Sequence, residues 1–262
     1  MRAASLAPRT IQARIDLVLL FAERTGLDPT GASWQDLTMF LAALAGAGTR
    51  QTYQGHFRAW YQWLVRMEYR PDDPTQKLHK QRVPRRSPRP FTIGQVSKIL
   101  SQRMHRRTRA MVLLGAYEGF RVSEIAKVAG PHIEGPNIWV EGKGGVVDKV
   151  PLHPLVAEVA ETFPARDFWF PSHVRPGPMT GNSASRIISD LIARAGVDGT
   201  AHQLRHFFLT EALRASGGNL KVAQELGRHA SIATTAGYTK VDDEERRAAV
   251  FALPRPLRLI SS

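Results

Sequence analysis

The chain has 262 residues, 43% of them hydrophobic, a composition that supports a packed core and excludes wholesale disorder. Its 36 Lys and Arg against 23 Asp and Glu leave a formal charge of +13, which points to a polyanionic partner, nucleic acid above all; self-repulsion that keeps a basic chain in solution is the other reading. The lack of cysteine excludes disulfides, cysteine–zinc modules and thiol catalysis, and the lack of a signal-peptide core or an apolar run of bilayer length leads to the expectation of a cytoplasmic protein with no membrane partner.

Residues 9–25 place Ile11, Ile15, Val18, Leu19 and Ala22 on one helical face, with Thr10 as a cap and Gly26 as a stop. Ser33 and Asp36 form a capping-box pattern ahead of a second helix carrying Leu37, Phe40, Leu41 and Leu44. Thr49 opens a third, with Tyr53, Phe57, Trp60, Leu64 and Met67 at helical spacing. On it Arg50, Arg58 and Arg66 recur every eight residues, successive members within about 80° of one another around the helix. That row reads equally as a solvated face or as a face for the DNA backbone. Residues 1–69 are thus expected to form a small helical domain.

Residues 70–91 hold five prolines and seven basic side chains (Arg70, Lys77, Lys80, Arg82, Arg85, Arg86, Arg89) against Asp72 and Asp73, a net charge of +5 in 22 residues. Proline disfavours a long helix there, and a linker that only joins two domains needs no such charge. A strap lying across phosphates does need it, and residues Lys77 to Arg89 are therefore expected to contact DNA.

The second domain is expected over 92–262. Thr92 and Gln95 form another capping box, Arg109–Tyr117 reads as a buried helix ended by Gly119, and Ser123 can cap a short helix over 124–128. Residues 137–152 alternate as a β-hairpin whose turn, Gly142-Lys143-Gly144-Gly145, has glycine where positive φ is needed. Helices follow at about 154–162, 182–195, 202–215, 219–227, 231–238 and 242–252. The fold expected is mainly α with a small antiparallel β-sheet.

Two familiar chemistries fail on the residues. Gly142-Lys143 is no Walker A loop, because Asn137 replaces the first glycine and Gly144 the Ser/Thr metal ligand. His202 and His206 have zinc spacing, but Gln203 stands where a zinc protease has glutamate, and Arg205 sets a permanent cation beside any metal. What remains is metal-free phosphoryl transfer, which needs cations for the non-bridging oxygens, a nucleophile and an acid for the leaving oxygen. Arg121 and Arg205 can clamp a phosphate, Lys143 can donate a proton, His202 and His229 can donate hydrogen bonds or move protons, and Tyr238 can attack. Each also has an ordinary structural reading: Arg121 paired with Glu124, Lys143 as a turn residue, His202 as a helix cap, Tyr238 in the core.

Taken together, these blocks resemble the tyrosine recombinase, or phage integrase, family. The resemblance lies in Gly119-Phe120-Arg121-Val122-Ser123-Glu124-Ile125, in Gly142-Lys143-Gly144-Gly145 with Val150-Pro151-Leu152, in His202-Gln203-Leu204-Arg205-His206, and in Leu226-Gly227-Arg228-His229 through Tyr238. Their order and the nine-residue step from His229 to Tyr238 match the family. The resemblance implies a helical core-binding domain and an α+β catalytic domain closing on the duplex like a C. It implies that Arg121 and Arg205 bind the scissile phosphate, that Lys143 is the general acid, and that His202 and His229 assist. Tyr238 would form a 3′-phosphotyrosine, and Glu124 would support the site from behind. Four protomers would exchange strands between two double-stranded DNA attachment sites through a Holliday junction, with neither ATP, metal nor other cofactor. A directionality factor or a host DNA-bending factor is a further expected partner.

Two residues depart from the pattern: Arg228 separates Gly227 from His229, which are adjacent in many relatives, and Lys149 is a second candidate for the hairpin lysine. The chain starts at the core-binding bundle, so simple attachment sites are expected. The apolar tail (Leu257, Leu259, Ile260) can pack on its own domain or dock on a neighbour. The function expected is that of a phage-type integrase; an Xer-like resolvase and a non-cleaving DNA-binding regulator are the alternatives.

Overall fold

The computed structural model describes residues 6, 8–81, 83, 89–142, 145 and 147–228. The chain divides into two compact units, Met1–Arg86 and Ser87–Ser262. As the periodicity predicts, it is mainly helical, with one three-stranded antiparallel sheet among the described residues.

In the first unit, helices α1 (Pro8–Thr25), α2 (Trp34–Ala42) and α3 (Ala47–Arg66) surround Leu17, Phe21, Leu37, Phe40, Phe57, Tyr61 and Leu64. Phe21, Phe40 and Phe57 meet edge to face with centroids 5.2 to 5.8 Å apart, the arrangement their ring quadrupoles favour. The Ser33–Asp36 capping box forms as expected: Ser33 Oγ accepts from the Asp36 N–H, and Asp36 accepts in return from the Ser33 N–H at 2.8 Å. Gly26 stops α1 at φ +69°. Two starts differ from expectation. Helix α1 begins at Pro8, whose missing N–H costs nothing in a first turn, and α3 begins at Ala47 behind Gly46, before Thr49.

Part of the stretch expected as linker folds onto this unit. Pro74–Lys77 form a 3₁₀ turn capped by Asp73, and Leu78 is buried in the core. Gln54, itself buried, donates to the carbonyls of Leu78 and His79 at 3.4 and 3.1 Å. Arg70 donates to the carbonyls of Thr30 and Ala32 and lies 5.0 Å over the Tyr61 ring, so it is a structural tie. Charge and proline content hid this, because Leu78 is the single apolar anchor among polar neighbours.

The second unit is built around α5 (Arg106–Tyr117), buried without interruption from Ala110 to Ala116. The helix starts before Arg109 because His105 caps it, Nδ1 accepting from the Arg107 N–H. Around it stand α4 (Ile93–Leu100), α6 (Val122–Ile125), α7 (Pro154–Ala160), α8 (Gly181–Arg194), α9 (His202–Ala215) and α10 (Leu220–Leu226). The sheet runs β1–β2–β3, with β1 Ile133–Glu134, β2 Asn137–Glu141 and β3 Val147–Pro151. Ile138 pairs with Val150 and Val140 with Asp148, which turns Ile138, Val140 and Val150 to the core. Strand β1, two residues long, is too short for a periodicity to reveal. No described helix is long and apolar enough to cross a membrane.

Candidate active site

The site begins where α5 ends. Gly119 takes φ +63°, and a Cβ there would overlap the ring of Phe208, so glycine alone fits. The reversal buries Phe120 and delivers Arg121 to the cap position of α6. The expected Ser123 cap is not used. Glu124 instead reaches back: Oε2 accepts from the Arg121 N–H at 2.8 Å, and Oε1 accepts from Arg121 Nη1 at 2.7 Å. The helix therefore starts earlier and lasts one turn. The ordinary partner of Arg121 is real, yet 37% of its side chain still meets solvent.

Helix α9 supplies the second arginine. Gln203, not His202, holds its start, with Oε1 accepting from the Thr200 N–H at 2.6 Å. His202 is thereby left at the surface end of the helix, its ring 4.4 Å from that of His206. Although part of His202 faces solvent, crowding of its ring lowers its pKa, and the charges of Arg205 and Arg121 act in the same direction. It is thus biased toward the neutral form, which can accept or donate a proton. Arg205 is 2% exposed; its Nη1 donates to the carbonyl of Gly119 and its Nη2 to the carbonyl of Gly227. One guanidinium therefore ties the turn before Arg121 to the end of α10, a two-pronged contact that lysine's single ammonium does not reproduce.

Glu124 is almost fully buried and carries a second arginine. Arg228 Nη2 donates to its Oε2 at 2.7 Å, across 104 positions of sequence, and the Arg228 guanidinium lies 5.0 Å from the centroid of the Phe120 ring. Burial alone would raise the Glu124 pKa; Arg228 and then Arg121 outweigh it and hold the carboxyl below its usual range. Nearby Glu118 is also buried. It accepts from the His153 N–H at 2.7 Å, and burial pushes its pKa up to about 7, against the opposing pull of that hydrogen bond and Arg228. Arg121, Arg205 and Arg228 against Glu124 leave a local excess of two positive charges, suited to an anionic phosphate.

At the sheet, Lys149 is engaged, its Nζ 2.9 Å from Glu134 and 5.0 Å over the Trp139 ring. The Trp139 indole donates to the same carboxylate at 2.7 Å. Lys143, His229 and Tyr238 lie outside the described residues, as do Arg82, Arg85, Arg86 and the apolar tail. Of the other basic residues expected to meet DNA, Arg58, Arg66, Lys77, Lys80 and Arg89 are exposed, whereas Arg50 is half-buried and donates to the Leu44 carbonyl at 2.9 Å. The structure thus brings together Arg121, Glu124, His202 and Arg205, and it adds Gln203, Glu118 and Arg228, which sequence reasoning did not place in the site. The signal for Arg228 was its departure from the family pattern.

The profile of the phage integrase family matches residues 91–245. Tyrosine recombinase XerD of Rhizobium meliloti is 30% identical over 257 residues, covering 86% of this chain and 81% of that protein. Tyrosine recombinase XerC of Erythrobacter litoralis is 29% identical, covering 86% and 76%. Among solved structures, the integrase from mycobacterium phage Brujita is 38% identical and covers 99% of this chain and 91% of that one, with a TM-score of 0.53. A lambda integrase dimer bound to a COC′ core site is 15% identical and shares the fold, with a TM-score of 0.74 over 89% of this chain and 92% of that one. The chain belongs to the phage integrase family, the tyrosine recombinases. Its activity is site-specific recombination of DNA.

Proposed function

We propose that the protein is a phage-type integrase that joins two DNA attachment sites through a 3′-phosphotyrosine. Arg121 and Arg205 hold the non-bridging oxygens of the scissile phosphate, and His202 and His229 donate hydrogen bonds and move protons around it. The Tyr238 hydroxyl oxygen attacks phosphorus, and the bond to the 5′-oxygen breaks. That oxygen leaves as a hydroxyl with a proton from Lys143. A 5′-hydroxyl of the partner strand then attacks the phosphotyrosine and releases Tyr238, so phosphodiester energy is conserved and no ATP or metal is used. Glu124 supports Arg121 from behind.

The observation that carries the reading is the convergence of Arg121, Arg205 and His202, residues up to 84 positions apart, around one positively charged point. The engagement of Lys149 with Glu134 and Trp139 favours Lys143 as the acid. Lambda integrase has been seen as a tetramer bound to a Holliday junction, and four protomers of this chain acting at such a junction fit the same chemistry. So do a cytoplasmic setting on host DNA and help from a directionality or DNA-bending factor. The basic residues Arg58, Arg66, Lys77, Lys80, Arg82, Arg85, Arg86 and Arg89 contact DNA phosphates, with Arg50 at the margin of that face.

The 38% identity to a phage integrase over nearly the whole chain, against 30% to Xer recombinases, favours integration over the resolution of chromosome dimers. The test is recombination between two plasmids, each carrying one core sequence read from the junctions of the integrated element. Integration predicts a fused plasmid from the two different cores. Recombination only between directly repeated identical sites, with excision of the DNA between them, would support the Xer-like reading.

A further inference from the structure

Arg228 occupies a position that its side chain should not favour. Its φ is +49°, in the left-handed region where glycine carries no steric cost and a residue with a Cβ does. Its side chain is 5% exposed, and its Nε and Nη1 are buried with no hydrogen-bond partner among the described residues. A strained backbone and unpaired buried donors are both unfavourable. They are offset by the 2.7 Å ion pair to Glu124 and by the stack on Phe120. An arginine kept here against backbone preference marks a functional contact, and the contact it makes is with the residue that orients Arg121.

The charges explain why such a contact matters. Glu124 fixes Arg121 through both the backbone N–H and the guanidinium. A buried carboxylate at 2.7 Å from a phosphate-binding arginine also competes with the phosphate and repels it. Oε2 of Glu124, which already accepts from the Arg121 backbone, takes the Arg228 guanidinium as well. We infer that Arg228 is a positioning residue for DNA cleavage: it neutralises Glu124, so that this carboxylate orients Arg121 without withholding its guanidinium from the scissile phosphate. Arg205, which donates to the Gly227 carbonyl, fixes the backbone just before Arg228 and so links the two arginines mechanically. This role rests on the assignment of Arg121 to the phosphate.

The experiment is single-turnover formation of the covalent protein–DNA complex on a nicked suicide substrate, at saturating protein. Arg228→Gly removes the charge while accepting the left-handed backbone, and Arg228→Asn, also tolerant of that conformation, serves if the glycine variant does not melt cooperatively. Cleavage should slow roughly 10- to 100-fold, with DNA affinity within about threefold of wild type. Arg228→Lys should recover part of the rate. Adding Glu124→Gln to Arg228→Gly should recover about tenfold, because the uncompensated carboxylate is then gone. Wild-type cleavage by Arg228→Gly would overturn the proposal, as would equal slowing by Arg228→Gly whether residue 124 is Glu or Gln. Failure of the wild type itself to form the complex would instead overturn the assignment of Arg121 and Tyr238, and this proposal with it.

Discussion

The guanidinium of Arg205 donates to the carbonyl oxygen of Gly119, 86 positions earlier in the chain. With its second prong on Gly227, it makes the turn before Arg121 and the end of α10 parts of one buried assembly. Arg205→Lys keeps the charge but cannot hold both carbonyls. It is expected to destabilise the catalytic unit by about 2 kcal/mol and to abolish cleavage. Thermal denaturation measures the first effect; a variant that melts like the wild type would show that the two hydrogen bonds contribute little.

Gly119→Ala is the complementary backbone test. The new Cβ meets both an unfavourable φ and the ring of Phe208. A loss of about 2–4 kcal/mol is expected, read from denaturant midpoints at unchanged m-value. A loss below about 0.5 kcal/mol would mean that the turn has room to adjust.

Much of this arrangement is legible in the sequence, and the reason is local. Gly119, the Thr92–Gln95 box and the alternation in 137–151 each act within a few residues, so spacing reveals them. The pairing of Arg121 with Glu124 is a three-residue step and is equally visible. What spacing does not carry is the link from Glu124 to Arg228, made across 104 positions, or the burial of Leu78 in the core of the first unit. Gln203 is visible only as a missing glutamate, whereas its amide oxygen caps the helix that presents His202. Long-range contacts of single polar residues leave no periodic trace.

Glu118 gives a pH signature. Its pKa, about 7 in the folded unit, lies above its ordinary value of 4.5, so the folded state binds the proton more tightly. That contribution is full below about pH 4.5 and is lost as pH rises through 7. Glu118→Gln can still accept from the His153 N–H and does not titrate. It is expected to match the wild type near pH 4.5 and to be more stable by up to about 3 kcal/mol at pH 8. Melting curves at the two pH values check this; a constant difference would place the titration elsewhere.

The basic stretch ahead of the second unit is tested by salt. Replacing Arg85, Arg86 and Arg89 by Ala should weaken DNA binding and reduce the slope of log K against log salt by about 0.9 for each phosphate that is no longer neutralised. Fluorescence anisotropy over a range of salt concentrations measures the slope. An unchanged slope would remove these residues from the DNA interface.

The central claim is covalent catalysis by Tyr238. Wild-type protein and Tyr238→Phe are incubated with a nicked suicide substrate carrying the cognate core, and the DNA-linked peptide is sequenced by mass spectrometry. The expected result is an SDS-stable complex for the wild type, with DNA attached at Tyr238, and none for Tyr238→Phe, which still binds the site. A covalent complex formed by Tyr238→Phe, or a linkage at another residue, would contradict the account.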